Sequence, residues 1–500
     1  MPSIHIDGRE ISFEPGETIL QVAERSSVEI PYYCWHRKLS TAANCRMCLV
    51  EVEKAPKLLP ACQTECRDGM TVHTKNDKVR DAQRAVHEFL LINHPIDCPI
   101  CDQAGECKLQ NYYMGYQQTS SRMVEEKVHK PRLERLGPHV LYNGERCILC
   151  TRCVRFMEEI AKDRQLGVFH RGDHAHIGIY PGKELDNGYS LNTVDVCPVG
   201  ALTSSVFRFK QRVWNLERSP SICPGCARGC NIHVDQRSGV VYRLKPRDND
   251  DVNACWMCDE GRLTYTRANE NRLTQPLVMR SGAPEEVSAQ TALDEAVRLL
   301  GPLAESKEGI GVALTLHATC EEAYVFGRLA RDLLGVSSVA LLEHWPGESD
   351  DFLRLADRNP NRAGVARVMK DLGLATVSRV ELEDGIGQGQ VKALVCLGHE
   401  ADDCQSLAKA AGKLEVFVHI AHAKTELAEV AHVTLPGVAW VQVDGTWVND
   451  DQRAQRLTSA FAPEGEARPA HEWVGQLADR LGVSFALPSV QTIRAEMTGT

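Results

Sequence analysis

Segments that alternate apolar and polar positions open the chain. Residues 3–13 alternate in this way around Gly8, which predicts a β-hairpin. A turn and helix start at residues 15–18 precede an apolar run at residues 19–23, and strand-like alternation returns at residues 49–52. This order predicts a small β-grasp-like domain wrapped around a loop.

Apolar residues then recur at helical spacing between residues 81 and 93. The predicted helix should end where His94 and Pro95 begin, because the residue before a proline avoids the helical conformation. The apolar positions of this helix are Ala85, Val86, Phe89, Leu90 and Ile92.

The pattern changes after residue 272. Apolar runs at residues 310–315, 391–397 and 416–420 alternate with helical patterns such as residues 321–334. Such alternation predicts a parallel, doubly wound α/β domain. Residues 281–287, Ser-Gly-Ala-Pro-Glu-Glu-Val, are expected to form a linker ahead of it.

Composition adds limits on size, partners and compartment. A length of 500 residues predicts about three or four domains, and 43% hydrophobic with 25% charged residues is ordinary for a globular protein. A formal net charge of −10 without a Lys/Arg run argues against nucleic-acid binding. The first residues lack the features of a secretory signal, and no apolar stretch approaches the roughly 18 to 20 residues that cross a bilayer. A cytosolic chain without direct membrane insertion is therefore expected.

The chain contains 20 cysteines, and in a reducing compartment such a number favours metal ligation over disulfides. Most of them form, together with His94, four successive groups of four potential ligands. The groups are Cys34/Cys45/Cys48/Cys62, His94/Cys98/Cys101/Cys107, Cys147/Cys150/Cys153/Cys197 and Cys223/Cys226/Cys230/Cys258. The cysteines outside these groups are Cys66, Cys255, Cys320, Cys396 and Cys404.

The spacing within the groups indicates iron-sulfur clusters. Thiolates are strong, soft donors, and Cys-x2-Cys-x2-Cys turns the backbone so that three of them face one inorganic core. The third group has this spacing and a remote fourth cysteine before Pro198, which indicates a [4Fe-4S] cluster. The first group resembles the plant-type [2Fe-2S] arrangement with a longer first spacer, although a zinc loop would also fit and Cys66 could replace Cys62.

The second and fourth groups carry one ambiguity each. A neutral imidazole at His94 removes a negative charge from the cluster and should raise its potential. One histidine and three cysteines also suit zinc, but the neighbouring groups favour iron. In the fourth group, a further [4Fe-4S] candidate, Cys255 competes with Cys258 for the last place. The acidic residue and Gly-Arg that follow Cys258 favour Cys258.

Residues near the third group admit two interpretations each. Three nearby histidines, His170, His174 and His176, could form a separate metal site. A position in a loop beside the third group is favoured for them. Three arginines lie near the third group, Arg146, Arg152 and Arg155. They are expected either to donate hydrogen bonds to cluster sulfurs or to form a solvated charged surface. Small buried or partly buried residues are expected at Cys320, Cys396 and Cys404.

Two runs of residues resemble a known family. Residues 93–107, Asn-His-Pro-Ile-Asp-Cys-Pro-Ile-Cys-Asp-Gln-Ala-Gly-Glu-Cys, and residues 194–203, Val-Asp-Val-Cys-Pro-Val-Gly-Ala-Leu-Thr, resemble the G subunit of bacterial NADH:quinone oxidoreductase, respiratory complex I. The serial order of the four groups extends the resemblance over essentially the whole chain. The C-terminal part resembles a shortened molybdopterin-oxidoreductase domain through residues 432–436, 444–449 and 452–455.

The resemblance implies a multidomain α+β and α/β protein. Its segments would be a [2Fe-2S] ferredoxin-like β-grasp domain at 1–78, a one-histidine, three-cysteine [4Fe-4S] segment at 79–118, a bacterial-ferredoxin-like [4Fe-4S] domain at 138–215, a molybdopterin-oxidoreductase-type [4Fe-4S] domain at 216–272 and a truncated α/β domain at 273–500. In that last domain the molybdenum ligand would stand near Trp345 and Pro346, where no cysteine is present. The implied cofactors are one [2Fe-2S] and three [4Fe-4S] clusters, with no molybdenum cofactor.

The resemblance further implies an electron-transfer subunit. A flavin on a partner subunit would take hydride from NADH, and single electrons would pass through the first, third and second clusters toward quinone, with the fourth off the main path. Partners would be the flavin- and NADH-binding subunit and the subunit with the next [4Fe-4S] clusters, on the cytoplasmic side of the cell membrane. Because no Gly-rich dinucleotide fingerprint follows a strand, NADH and FMN are not expected on this chain, and its residues would serve ligation and potential tuning rather than acid-base catalysis.

Other protein classes share the front-end cluster modules. An iron-only hydrogenase should carry a further cysteine-rich active-site segment, and a formate dehydrogenase should carry the molybdenum ligand. Residues 273–500 offer neither. A zinc-stabilised scaffold is the non-enzymatic alternative, and a brown chromophore would exclude it.

Overall fold

The computed structural model describes residues 1–116, 121–400, 402, 404–485 and 489–499. It mixes helices and strands and divides into two compact units, Met1–Leu216 and Glu217–Thr500. Residues 117–118 of the segment expected at 79–118, and several positions of the segment expected at 273–500, lie outside the described residues. Among the described helices, none is long and apolar enough to cross a membrane.

The first unit begins with the predicted hairpin and helix. Asp7 and Gly8 turn the chain with φ angles of 48° and 82°, and Thr18 caps the helix by accepting a hydrogen bond from the Gln21 backbone N–H. The elements are β1 (Ser3–Ile6), β2 (Arg9–Ser12), α1 (Ile19–Arg25), β3 (Leu49–Val52), β4 (Leu59–Pro60) and β5 (Thr71–His73). The strands form one sheet in the order β2-β1-β5-β3-β4, in which β5 is parallel to β1.

The helix predicted at residues 81–93 is α2 (Asp77–Leu91). It starts earlier than predicted because the Asn76 side chain accepts a hydrogen bond from the Val79 backbone N–H and caps the first turn. It ends before His94, as the following proline predicts.

The buried residues of α2 are two polar residues together with Val79. Phe89 is 70% exposed, whereas Gln83 and His87 are buried. The Gln83 amide donates a hydrogen bond of 3.0 Å to the Leu49 carbonyl oxygen, and the His87 Nδ1 atom lies 3.0 Å from the Tyr33 hydroxyl. Hydrogen bonds to Leu49 and Tyr33 therefore help to orient this helix, together with the burial of Val79.

Short elements surround the second and third cysteine groups. They are α3 (Lys108–Gly115), β6 (Glu134–Arg135), β7 (Val140–Tyr142), α4 (Arg152–Arg155), β8 (Leu166–Phe169), β9 (His176–Ile179), α5 (Asn192–Val196) and β10 (Leu202–Ser204). One sheet has the order β10-β7-β6, and β8 pairs with β9 in an antiparallel hairpin.

The second unit starts with an antiparallel sheet of three strands in the order β11-β12-β13. Its elements are β11 (Glu217–Ile222), β12 (Asn231–Arg237) and β13 (Val240–Pro246), followed by α6 (Asp259–Leu263) and α7 (Tyr265–Asn269). The fourth cysteine group lies in the loops between these elements.

An eight-stranded sheet, a separate antiparallel sheet of two strands and the helices around them make up the rest of the second unit. The elements are β14 (Leu277–Arg280), β15 (Ala283–Glu286), α8 (Ala289–Ser306), β16 (Ile310–Thr315), α9 (Cys320–Arg328), β17 (Ser338–Leu342), α10 (Arg362–Asp371), β18 (Ala375–Ser378), α11 (Arg379–Gly387), β19 (Ala393–Leu397), α12 (Cys404–Ala411), β20 (Val416–Ala421), α13 (Glu426–Val430), β21 (Val433–Pro436), β22 (Gly445–Val448), β23 (Ala454–Leu457), α14 (Ala470–Arg480) and α15 (Val490–Gly499). The βα alternation predicted after residue 272 is confirmed.

The strand order of this sheet is β15-β14-β21-β20-β19-β16-β17-β18, and β16 to β21 run parallel. Alternate residues of β19 enter two different apolar clusters, with Val395 in one and Cys396 in the other. Both faces of the sheet are therefore covered, as parallel sheets require. The order reverses between β16 and β19, so a crevice opens beyond the carboxyl ends of these strands.

Residues 281–287 do not form the expected linker. Instead, β14 and β15 pair antiparallel, with Leu277 opposite Glu286 and Arg280 opposite Ala283. Two consecutive left-handed residues, Ser281 and Gly282 with φ angles of 51° and 86°, make the tight turn between them. A hairpin at one edge of the large sheet therefore occupies this segment.

Candidate metal centres

The four groups of potential ligands are numbered as the first to fourth sets in chain order. The first set, Cys34/Cys45/Cys48/Cys62, converges ahead of β3 and after β4. The Cys34 thiol contacts those of Cys45 and Cys62, and the Cys48 thiol contacts that of Cys62. The Cys34 backbone N–H points at the Cys45 Sγ atom at 3.4 Å. Ala43, two residues before Cys45, has a φ of 49° and Arg46 a φ of 59°, so left-handed residues bend the loop around the sulfurs.

The second set lies between the end of α2 and the start of α3. Cys107 is the N-cap residue of α3, and Cys98 begins a single helical turn at Cys98–Ile100. Burial raises the pKa of the Cys107 thiol to about 11, and the Cys101 and Cys98 thiols add to this shift, so the three lie within electrostatic reach of one another. Burial lowers the pKa of His94 to about 4, which leaves a neutral ring. Its Nδ1 atom is buried and without a hydrogen-bond partner among the described residues.

The third set surrounds one cavity at the start of α4. All four sulfur-bearing residues line this cavity together with apolar side chains such as Ile177 and Leu202. Leu149 and Thr151 have φ angles of 53° and 59°, so the Cys-x2-Cys-x2-Cys segment coils with its thiols inward. The Leu149 backbone N–H points at the Cys147 Sγ atom at 3.4 Å.

The fourth set surrounds a second cavity, between β11 and α6. Gly225 and Gly261 aim their backbone N–H groups at the Sγ atoms of Cys223 and Cys258, at 3.4 and 3.3 Å. A Cβ atom on Gly261 would come within 2.8 Å of the Cys223 Sγ atom. Among the described residues, those lining this cavity include Cys258 but not Cys255.

These surroundings fit iron-sulfur clusters. A sulfur-lined cavity leaves room for an inorganic core, and backbone N–H groups aimed at sulfur stabilise the charge of ligating thiolates. The unpartnered His94 nitrogen fits a ring that is held for a metal. Left-handed residues, which are costly for side chains other than glycine, bend the first and third loops and are characteristic of functional sites.

The three arginines near the third set are buried, so the solvated-surface interpretation is wrong. Arg146 pairs with the Asp97 carboxylate at 2.5 Å. Arg152 donates to the Trp35 carbonyl oxygen and to that of Val196. The guanidinium group of Arg146 therefore contacts the residue next to Cys98 of the second set, and that of Arg152 contacts the residue next to Cys34 of the first set.

Arg155 links the first and third sets directly. Its Nη2 atom donates to the Cys34 carbonyl oxygen at 2.5 Å and to the Cys150 carbonyl oxygen at 3.2 Å. The Asn44 amide adds a second link, with a hydrogen bond of 3.1 Å to the Leu149 carbonyl oxygen. The first and third loops are thus held against each other by side chains.

The third and second sets adjoin in the same way. Gly200 follows Cys197, and a Cβ atom at this position would lie 2.3 Å from the Cys101 Sγ atom. The Lys108 backbone N–H donates to the Pro198 carbonyl oxygen at 3.2 Å. Within the first unit, contacts therefore join the first set to the third set and the third set to the second.

The remaining predicted residues lie outside these sets. Cys66 is buried beside Glu17, and burial together with that carboxylate raises its thiol pKa to about 11. His170 and His176 lie at the exposed end of the β8–β9 hairpin, with ring centroids 5.2 Å apart. As predicted, Cys320 and Cys396 are buried and Cys404 is partly buried.

Several residues that shape the sites were not predicted from the sequence. Asp97, the partner of Arg146, stands in the motif between His94 and Cys98 and could have been found as the acid beside a cluster ligand. Gly200 gave no signal, because its neighbour Cys101 is remote in sequence. His399 and Glu400 directly follow a predicted buried strand, where side chains of parallel sheets meet.

Family models match five stretches of the chain. Their descriptions are a 2Fe-2S iron-sulfur cluster binding domain (residues 2–77), an NADH-ubiquinone oxidoreductase-G iron-sulfur binding region (83–122), an NADH-quinone oxidoreductase subunit 3 ferredoxin-like domain (137–203), an NADH-ubiquinone oxidoreductase NDSU1/NuoG-like 4Fe-4S domain (218–266) and a molybdopterin oxidoreductase (340–480). Each of the first four contains one of the four ligand sets.

Two known proteins of the same name match long stretches of the chain. The G subunit of NADH-quinone oxidoreductase from Streptomyces coelicolor is 34% identical over 498 residues, which cover 96% of this chain and 58% of that protein. The protein of the same name from Rickettsia conorii is 41% identical over 293 residues, which cover 59% of this chain and 44% of that protein. The chain is homologous to the G subunit of NADH-quinone oxidoreductase. The resemblance inferred from the sequence is thereby confirmed.

The chain spans about half the length of the G subunits that it matches. Among solved structures, an NAD+-reducing [NiFe]-hydrogenase matches 42% of this chain and 91% of its own chain at 26% identity, with a TM-score of 0.39. The homology to the G subunit therefore rests on the sequence matches and on the four ligand sets.

Proposed function

We propose that this chain is an iron-sulfur electron-transfer subunit of an NADH:quinone oxidoreductase. The observation that carries the proposal is the continuous contact between the first, third and second sets, through Arg155 and Gly200. When bound there, the clusters would accept and pass on single electrons. The names of the homologous G subunits support the same function.

The protein residues would hold and tune the clusters. We infer that Cys34, Cys45, Cys48 and Cys62 ligate a [2Fe-2S] cluster. Three [4Fe-4S] clusters would be ligated by His94/Cys98/Cys101/Cys107, Cys147/Cys150/Cys153/Cys197 and Cys223/Cys226/Cys230/Cys258. Backbone N–H groups near the sulfurs, such as that of Gly261, would stabilise the more negative, reduced state and so raise the potential.

The domains proposed for this function are those expected from the sequence. A β-grasp ferredoxin domain at 1–78 is supported by the sheet in which β5 runs parallel to β1. Cluster-binding segments at 79–118, 138–215 and 216–272 are supported by the ligand sets that they contain. A doubly wound domain at 273–500 is supported by the parallel strand order. Trp345, near the expected molybdenum-ligand place, follows β17 and is 60% exposed. No molybdenum cofactor is proposed there.

Partners and location follow from the same proposal. The chain would lie between the flavin- and NADH-binding subunit and the subunit with the next [4Fe-4S] clusters, in a peripheral arm on the cytoplasmic side of the cell membrane. The fourth set lies in the second unit and the other three lie in the first. We place the fourth set off the main path on the family resemblance alone.

Metal analysis of protein purified without oxygen tests the proposal. One [2Fe-2S] and three [4Fe-4S] clusters predict about 14 iron atoms per chain and no molybdenum. A value near 10 would mean that one [4Fe-4S] site is empty. Stoichiometric molybdenum would favour a formate dehydrogenase, and zinc in the cysteine sites with little iron would contradict electron transfer.

Two matched variants test the last ligand of the fourth set. Cys258→Ser should lower the iron content by up to about four atoms and change the reduced spectrum, because Cys258 lines the sulfur cavity. Cys255→Ser makes the same chemical change three residues away and should leave both unchanged. The reverse outcome would assign the ligand to Cys255.

A further inference from the structure

Three metal-binding side chains converge outside the four ligand sets, at the carboxyl edge of the parallel sheet. His399 and Glu400 follow β19, and His422 follows the neighbouring strand β20. One ligand atom from each residue lies within 4.8 Å of the other two. This edge is where parallel sheets place their binding groups.

The backbone brings these side chains together. Gly398, with a φ of 84°, turns the chain as it leaves β19, and a Cβ atom there would lie 2.2 Å from Thr315 Cγ2 and 2.8 Å from Glu400 Oε2. The His422 Nδ1 atom lies 3.2 Å from Glu400 Oε1, and the rings of His399 and His422 are 4.7 Å apart at an angle of 44°. The two rings are tilted relative to each other rather than stacked.

The free ring nitrogen of His399 suits a metal. Its Nδ1 atom is buried without a hydrogen-bond partner among the described residues. Imidazole nitrogens and carboxylate oxygens, as His399, His422 and Glu400 offer them, are common ligands of transition metals.

A fourth group faces the same place. His317 follows β16 and lines a cavity together with Glu400 and His422. Its Nε2 atom is also buried and lacks a hydrogen-bond partner in the described part of the chain. The cavity therefore offers a further imidazole as well as space for a water molecule.

We propose that His399, Glu400 and His422 bind one divalent transition-metal ion of the zinc class. Two imidazoles and one carboxylate form a recurrent zinc ligand set, with the fourth position left to His317 or water. Because the ligands follow two adjacent strands, the ion would join the ends of β19 and β20. This site is independent of the iron-sulfur chemistry proposed above.

The test uses the full chain with its clusters, equilibrated with zinc sulfate and then desalted. We expect about one zinc ion per chain, with a nitrogen and oxygen shell at roughly 2.0 to 2.2 Å in X-ray absorption. The double variant His399→Ala/His422→Ala should lose this zinc while keeping its iron. Glu400→Gln, which keeps the size of the side chain, should weaken zinc binding at least tenfold.

The double variant His170→Ala/His176→Ala is the matched control, because it removes two neighbouring imidazoles from an exposed hairpin. It should retain the zinc. The proposal is overturned if the His399/His422 variant binds as much zinc as the unaltered chain. A sulfur shell at roughly 2.3 Å would equally overturn it, since the zinc would then occupy cysteine sites.

Discussion

Single glycines beside the cysteines lie where a side chain has no space. A Cβ atom on Gly200 would come within 2.3 Å of Cys101 Sγ, and one on Gly261 within 2.8 Å of Cys223 Sγ. Neither glycine has a positive φ, so space rather than backbone conformation excludes larger residues. The loop that closes the third set therefore fixes the position of a sulfur in the second set.

Gly200→Ala should disturb the second cluster selectively. Its methyl group forces Cys101 Sγ to move, so we expect loss of up to about four iron atoms per chain, or a shifted potential of one cluster. Iron analysis with redox-titrated electron paramagnetic resonance measures both. Gly115→Ala in α3, where a Cβ atom meets nothing within 4 Å, is the control and should change neither. Unchanged iron and potentials in Gly200→Ala would show that the contact is not restrictive.

The residues of the sites differ in whether the neighbouring sequence is enough to predict them. Each group of ligands could be predicted because short spacings such as Cys147 to Cys153 need no knowledge of the fold. The burial of Arg155 could not, because its partner carbonyl at Cys34 lies 121 positions away in the chain. The metal-binding trio was also missed, because His422 joins His399 only through the pairing of two strands.

At the scale of elements, prediction succeeded where one local rule decided the outcome. The β1–β2 hairpin, α1 and the parallel strands follow from turn residues, a Thr18 cap and apolar runs. It found α2 but gave no sign that its polar residues Gln83 and His87 are buried, because their hydrogen bonds are long-range. It failed for residues 281–287, where Ser281 and Gly282 act as a hairpin turn.

A buried carboxylate joins the three strands next to the fourth set. Asp235 on β12 accepts hydrogen bonds from Arg218 on β11 at 2.6 Å and from Arg243 on β13 at 2.7 Å. Burial alone would raise the pKa of Asp235, but the two arginines lower it overall. The ion pairs therefore contribute stability above about pH 4, and this contribution is lost as the pH falls through the lowered pKa.

Asp235→Asn should destabilise this sheet. It removes the charge that two arginines share, and we expect a loss of about 2 to 3 kcal/mol, reduced from the fully buried case because Arg218 is half exposed. Hydrogen exchange in the full chain should accelerate at residues 217–246. Asp479→Asn, at an exposed position of α14, is the control. Equal exchange rates in both variants would rule out a stabilising role for these ion pairs.

At the scale of the whole molecule, apolar side chains are exposed beside the second set. Ile100 lies between Cys98 and Cys101 and is 62% exposed. Phe209 and Trp214 are exposed to a similar degree. The Phe209 backbone N–H donates to Asp102 at 2.9 Å, and the Trp214 ring adjoins Gly105. Ile100 belongs to the loop of the second set, and Phe209 and Trp214 contact that loop, so this exposed apolar surface fits a partner subunit.

Ile100→Asp should therefore impair assembly without emptying the clusters. A charge in a dehydrated interface should weaken partner binding at least tenfold, or by about 1.4 kcal/mol. The amount of assembled complex on native gels and its NADH:quinone activity should both fall. Iron per chain should stay constant, because Ile100 is exposed and is not a ligand. Val380→Asp, a comparable change at a 55% exposed position of α11, should assemble normally. Normal assembly of Ile100→Asp would place the partner on another face, whereas loss of iron would mean that the variant had damaged the second set itself.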